Sequence, residues 1–190
     1  MFLRIVERFR AVVETEGLPV AIAKVTATLR RLPMRGRTDS FDGTFHTETS
    51  AIVPLWRLKI PSSNAKFGTR YQTCDPSVFF SALRVVPEDP RELVFIDLGC
   101  GKGRTLILAA QQGFKRVMGV EFSPQLAAIA RENIRCVGVT AEVLEMDACQ
   151  FQPPDENLFI YLYNPFGDSV IAPVVKNLLL WSSKATKRLS

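Results

Sequence analysis

Asp97, Gly99, Gly101, Gly103, Glu121, Asp147 and the run Asn164-Pro165-Phe166 are the residues whose types and spacing carry chemistry in this 190-residue sequence. Three glycines at alternate positions follow the apolar run Val94–Leu98, and Thr105-Leu106-Ile107-Leu108-Ala109-Ala110 opens a helix behind them. A chain that leaves a strand, turns on glycines and enters a helix has little side-chain bulk at the turn. A ligand can approach the backbone there, facing the helix N-terminus. The pattern is G-x-G-x-G, and Arg104 stands where a dinucleotide site would place its third glycine. Asp97, two residues ahead of the first glycine, would repel a pyrophosphate and favour a cationic ligand. A nicotinamide-linked oxidoreductase and a strand-turn-helix with incidental glycines are the rival readings of this stretch alone.

These residues have to be positioned by alternating strands and helices. Strands are expected at Val94–Leu98, Val117–Val120 ending at Glu121, Glu142–Met146 ending at Asp147, and Leu158–Tyr163 running into Asn164. Helices are expected from about Arg104 to Gln112 with Gly113 as cap, from Gln125 to Arg135 behind Ser123-Pro124, and from Ser169 to Trp181. Asp75-Pro76 reads as the cap and first residue of an earlier helix with the stripe Val78, Phe79, Leu83 and Val86. Residues 2–16 and 20–32 show helical spacing, and a polar linker is expected between Met34 and Gly43. The order predicts an α/β fold, a doubly wound parallel sheet with right-handed crossovers and a ligand at the carboxyl ends of its strands.

Composition narrows the class further. Hydrophobic residues make up 47 % of the chain, an ordinary globular share, and no apolar run approaches the ~18 residues that span a bilayer. Cys74, Cys100, Cys136 and Cys149 lie far apart and His46 is the single histidine. Zinc and disulfide frameworks are therefore unsupported, no metal is expected, and a reduced cytoplasm is the natural setting. The +5 net charge is uneven: residues 1–40 and the last twenty are basic, while 91–170 carry seven basic and ten acidic residues. Basic ends leave nucleic acid or an acidic protein surface open as partner, beside plain solubility.

With these residues in view, Asp97-Leu98-Gly99-Cys100-Gly101-Lys102-Gly103 resembles the first motif of the class I S-adenosylmethionine-dependent methyltransferases. Gly119-Val120-Glu121-Phe122-Ser123-Pro124 is similar to the second motif, which implies that Glu121 accepts hydrogen bonds from the ribose hydroxyls. The resemblance carries an adenine contact to Asp147, with Phe122 and Met146 as neighbours of the ring. Asn164-Pro165-Phe166-Gly167 resembles the Asn/Asp-Pro-Pro-aromatic motif of nitrogen-directed members. There the Asn164 side-chain oxygen and the Pro165 carbonyl would accept hydrogens from an amine and turn its lone pair towards the methyl. A plain strand-to-helix turn uses the same residue types. A Pro-Cys nucleophile for carbon methylation is absent, since none of the cysteines follows a proline.

The lead-in holding Tyr71-Gln72 is similar to the segment that helps cover the cofactor in non-SET histone-lysine methyltransferases, a distant likeness over roughly residues 70–170. Small bacterial class I methyltransferases with Tyr-Asn-Pro-Phe-Gly segments resemble it more closely. The implied domains are a helical, basic N-terminal extension and linker over 1–43 and a Rossmann-like methyltransferase domain over 44–190. Only four strands are legible, so the family's C-terminal strands are missing and truncation after Ser190 is an open alternative. The expected function is transfer of a methyl group from S-adenosylmethionine to a nitrogen of a protein or other substrate. Small molecules and nucleic acid stay open as acceptors. An inactive or truncated cofactor-binding module is the alternative.

Overall fold

The fold was obtained as a computed structural model, which describes residues 40–50, 52–86 and 88–184. The helices expected over 2–16 and 20–32 lie outside the described residues, as do Pro87 and the chain beyond 184. Four parallel strands form the sheet: β1 (Val94–Leu98), β2 (Arg116–Glu121), β3 (Glu142–Glu145) and β4 (Leu158–Tyr161), in the order β3-β2-β1-β4. Every residue of β1 is buried, as the central strand of a sheet covered on both faces requires. The register sets Asp97 beside Gly119 of β2 and Tyr161 of β4, and Glu121 beside Glu145 of β3. All four carboxyl ends therefore open on one edge.

The helices α2 (Pro76–Leu83), α3 (Arg104–Gln111), α4 (Pro124–Val137) and α5 (Asp168–Lys184) fall within a few residues of expectation. Their signals are local. Asp75 accepts from the Ser77 amide at 2.8 Å ahead of Pro76, and Ser123 accepts from the Leu126 amide ahead of Pro124. On one face of the sheet Phe95 stacks with Phe159, ring centroids 5.6 Å apart, while Phe79 of α2 meets Phe95 edge-on at 5.8 Å. Alternation turns Val94, Ile96 and Leu98 to the opposite face, where they are buried in turn. No helix among the described residues is long and apolar enough to cross a membrane.

One expectation needs correcting. Residues 34–39 of the expected linker lie outside the described residues, and over 40–43 it gives way to a short helix, α1 (Ser40–Phe45), whose Phe41 is buried in the main core. Its Asp42 accepts from the Thr47 hydroxyl at 2.8 Å, the Thr49 amide at 2.9 Å and the Ser50 amide at 2.7 Å. Burial works to raise the Asp42 carboxyl, but these hydrogen bonds outweigh it and hold the group well below the ordinary carboxylate range. The Arg104 guanidinium closes the knot, 3.5 Å from Asp42, donating to the Thr49 hydroxyl and lying 4.5 Å over the Phe41 ring. This segment is thus tied to the first residue of α3.

Candidate cofactor and transfer site

The turn after β1 places Gly99, Gly101 and Gly103 at φ of 105°, 55° and 82°, left-handed values that side chains rarely adopt. Two of these positions are also closed to a Cβ by what packs on them. A Cβ on Gly99 would lie 2.2 Å from Pro165, and one on Gly101 would lie 2.3 Å from the Tyr71 ring. Gly103 has a structural task as well. It caps α3 and lets that helix seat against Ala130 of α4.

Glu121 braces this turn. Its carboxylate accepts from the Gly101 amide at 2.9 Å and from the Ser123 amide at 2.9 Å, and it is 4 % exposed. Burial lifts its carboxyl to about 7, against the pull of the Ser123, Gly101 and Phe122 amides. Asp97 lies close by, 2 % exposed, accepting from the Thr105 hydroxyl at one oxygen while the other has no partner. Burial pushes Asp97 up to about 7 as well; the Thr105 hydroxyl opposes the rise and the Glu121 charge adds to it. Two acids poised near neutrality therefore stand at the ends of adjacent strands, ready to ionise against a cation.

The other strand ends are held by the lead-in. At β3, Asp147 accepts from the Ser62 hydroxyl at 2.6 Å and the Asn64 side-chain amide at 2.9 Å on one oxygen, and from the Cys149 amide on the other. Burial raises it, yet these donors win and keep it below the ordinary carboxylate range. Phe122 packs so closely on Gly68 that a Cβ there would lie 2.7 Å from its ring. At β4, Asn164 has φ of 50° and a buried side-chain oxygen without a partner. Thr69 donates its hydroxyl to the Asn164 carbonyl at 2.6 Å and its amide to the Pro165 carbonyl at 3.4 Å. The Pro165 carbonyl, expected to face an amine, is thus engaged by Thr69. Phe166 is buried and pairs with Gly68 in an antiparallel bridge.

Tyr71, Gly99, Gly101, Glu121, Phe122, Met146, Asp147, Asn164, Pro165 and Phe166 all line one cavity, of about 670 Å³ including space open to solvent. Of the residues expected at the site only Asp97 and Gly103 lie outside that lining. Sequence reasoning missed Thr69, Arg70 and the Ser62–Asn64 pair, which also belong here or brace it. The Ser-Ser-Asn run is a turn signal, and nothing local marks its acid partner 85 positions away. Among the described residues no group of His, Cys, Asp and Glu is arranged to hold a metal ion.

A parallel sheet with a glycine turn after its central strand and an acid at the end of the next defines a nucleoside-type binding fold. Residues 95–171 match a family model described as "Methyltransferase domain". The chain is 31 % identical over 140 residues to a ribosomal protein L11 methyltransferase of Photobacterium profundum, covering 67 % of this chain and 46 % of that protein. An RNA methyltransferase of Chlamydia trachomatis is 43 % identical over 67 residues, 35 % of this chain and 17 % of that protein. The solved RNA methyltransferase of Salinibacter ruber, in complex with S-adenosyl-L-homocysteine, is 25 % identical with a TM-score of 0.45. That alignment covers 62 % of this chain and 71 % of the other. The chain spans less than half the length of these two curated relatives. Residues 95–171 are thus similar to the methyltransferase domains of the class I, S-adenosylmethionine-dependent family.

Proposed function

We propose that this chain binds S-adenosylmethionine in the cavity at the strand ends and transfers its methyl group to a nitrogen, on a protein by preference. The observation that carries the nitrogen assignment is the Asn164 side-chain oxygen, buried in a left-handed turn with no partner, in a residue that lines the cavity. An unpaired buried acceptor costs free energy, about 1–3 kcal/mol, unless a donor arrives to meet it. An amine substrate brings that donor.

The residues fit the cofactor. Its sulfonium and ammonium are cationic, and Asp97 keeps one carboxylate oxygen unpaired. Its ribose offers hydroxyl donors, and Glu121 has lone pairs left after its two amides. Phe122 and Met146 supply apolar area for a purine. When bound, the sulfonium supplies an activated methyl group. The chain then has to align the acceptor, whose surplus proton passes to solvent once the methyl has moved and the neutral thioether has left. Asn164 Oδ1 takes a hydrogen bond from the amine and directs its lone pair at the methyl carbon. The Pro165 carbonyl, engaged by Thr69, serves to fix the turn that aims Asn164.

Support for a macromolecular acceptor comes from the relatives, one named for a ribosomal protein and one for RNA. The test is two-stage. Calorimetric titration with S-adenosylmethionine and S-adenosylhomocysteine should give saturable binding. Labelled methyl donor is then offered with a ribosomal protein fraction and, separately, with RNA. Label recovered as N-methyl amino acid supports the reading. Label on RNA alone overturns the protein acceptor, and label as O-methyl or C-methyl overturns the nitrogen.

A further inference from the structure

The cavity is lined by acids with one cation among them. Glu121 and Asp147 face it and Asp97 lies close by, whereas Arg70 is the only lysine or arginine among the described lining residues. The other cations near the glycine turn are committed elsewhere. Lys102, 1 % exposed, makes an ion pair of 2.6 Å with Glu48, and Arg104 is held by Asp42 and Thr49. Arg70 is exposed and forms no ion pair with any described residue.

Its backbone is nevertheless fixed. Thr69 before it donates to the Pro165 carbonyl, and Tyr71 after it pairs with Val53 in a two-way bridge at 2.9 and 3.3 Å. The Tyr71 ring lies on Gly101. The Arg70 backbone is therefore fixed in the cavity lining, next to the residue whose ring covers the glycine turn. Resting on the cofactor reading above, we propose that Arg70 binds the carboxylate of the cofactor's amino-acid arm. That carboxylate is the one group of the cofactor that an acid-lined cavity repels, and a guanidinium meets it with two parallel hydrogen bonds.

The experiment is calorimetric titration of the full chain with S-adenosylmethionine and with its decarboxylated analogue, which lacks only the carboxylate. Arg70→Ala should weaken S-adenosylmethionine binding about tenfold and leave the analogue unchanged. Arg70→Lys should recover part of the loss, since it restores charge without the fork. The wild-type preference for the carboxylated ligand should also shrink as salt is raised. Equal losses on both ligands, or no loss on either, overturn the assignment; the second result would leave Arg70 free for an acidic acceptor. If the folded wild-type chain binds neither ligand, the cofactor reading fails and the assignment falls with it. Because Arg70 is exposed, an unchanged melting temperature separates lost contact from lost fold.

Discussion

At the scale of single residues, the site works through side chains held away from their ordinary chemistry. Asp97 and Glu121 titrate near 7 because burial disfavours their charged forms. A carboxyl raised from about 4 to about 7 makes the folded state bind protons more tightly than the unfolded one. Its stabilising contribution is complete below pH ~4 and is lost as pH rises through 7. A cationic ligand selects the ionised form, so the opposite trend holds for binding. S-adenosylmethionine affinity should rise between pH 6 and pH 8, and Asp97→Asn should be weaker and flatter over that window, as titration at several pH values would show. The same variant should melt closer to wild type at pH 5 and gain on it at pH 8. Asn164 allows a cleaner separation. Asn164→Gly keeps the left-handed backbone and removes the acceptor, so cofactor affinity should stay within about threefold while transfer falls roughly a hundredfold. Equal losses in binding and transfer would make Asn164 a structural residue of the turn.

At the scale of elements, legibility followed the range of the forces. β1 and the helices behind Asp75-Pro76 and Ser123-Pro124 were readable because caps, prolines and apolar runs act within a few positions. α1 was not readable. Its six residues include a glycine and have no period, and it is held by Asp42 and by Arg104, more than fifty positions away. The tie between the Pro165 carbonyl and Thr69 was unreadable for a similar reason, since Thr69 lies 96 positions earlier. The glycine turn shows both ranges at once. Its pattern is local, while the Tyr71 ring on Gly101 and Pro165 on Gly99 depend on the fold. Gly101→Ala should therefore cost about 2–4 kcal/mol, from the left-handed backbone and the Tyr71 clash together. Tyr71→Ala should relieve the second part only, so a double-mutant cycle by thermal or urea unfolding should show coupling of about 1 kcal/mol or more. Additive losses would mean that the ring moves aside freely.

At the scale of the whole domain, the lead-in from Ser62 to Tyr71 crosses every strand end. Tyr71 lies on the turn after β1, Gly68 on Phe122 after β2, Ser62 and Asn64 on Asp147 after β3, and Thr69 on Asn164 and Pro165 after β4. These ties are a few scattered hydrogen bonds, ring contacts and isolated bridges, whereas β1 is bonded along its length on both sides. Local opening free energy follows such bonding density. The amides of Val53, Thr69, Tyr71 and Gly167 should exchange with deuterium well ahead of those in β1, and S-adenosylhomocysteine should slow them selectively. The reason is linkage: a ligand held between the lead-in and the strand ends stabilises only states in which both are in place. Exchange of the lead-in at the rate of β1, with or without ligand, would make the cover a permanent wall. Arg70, exposed in the cavity lining, would then be the cation an entering cofactor meets, and Arg70→Ala would alter the association rate as well as the affinity.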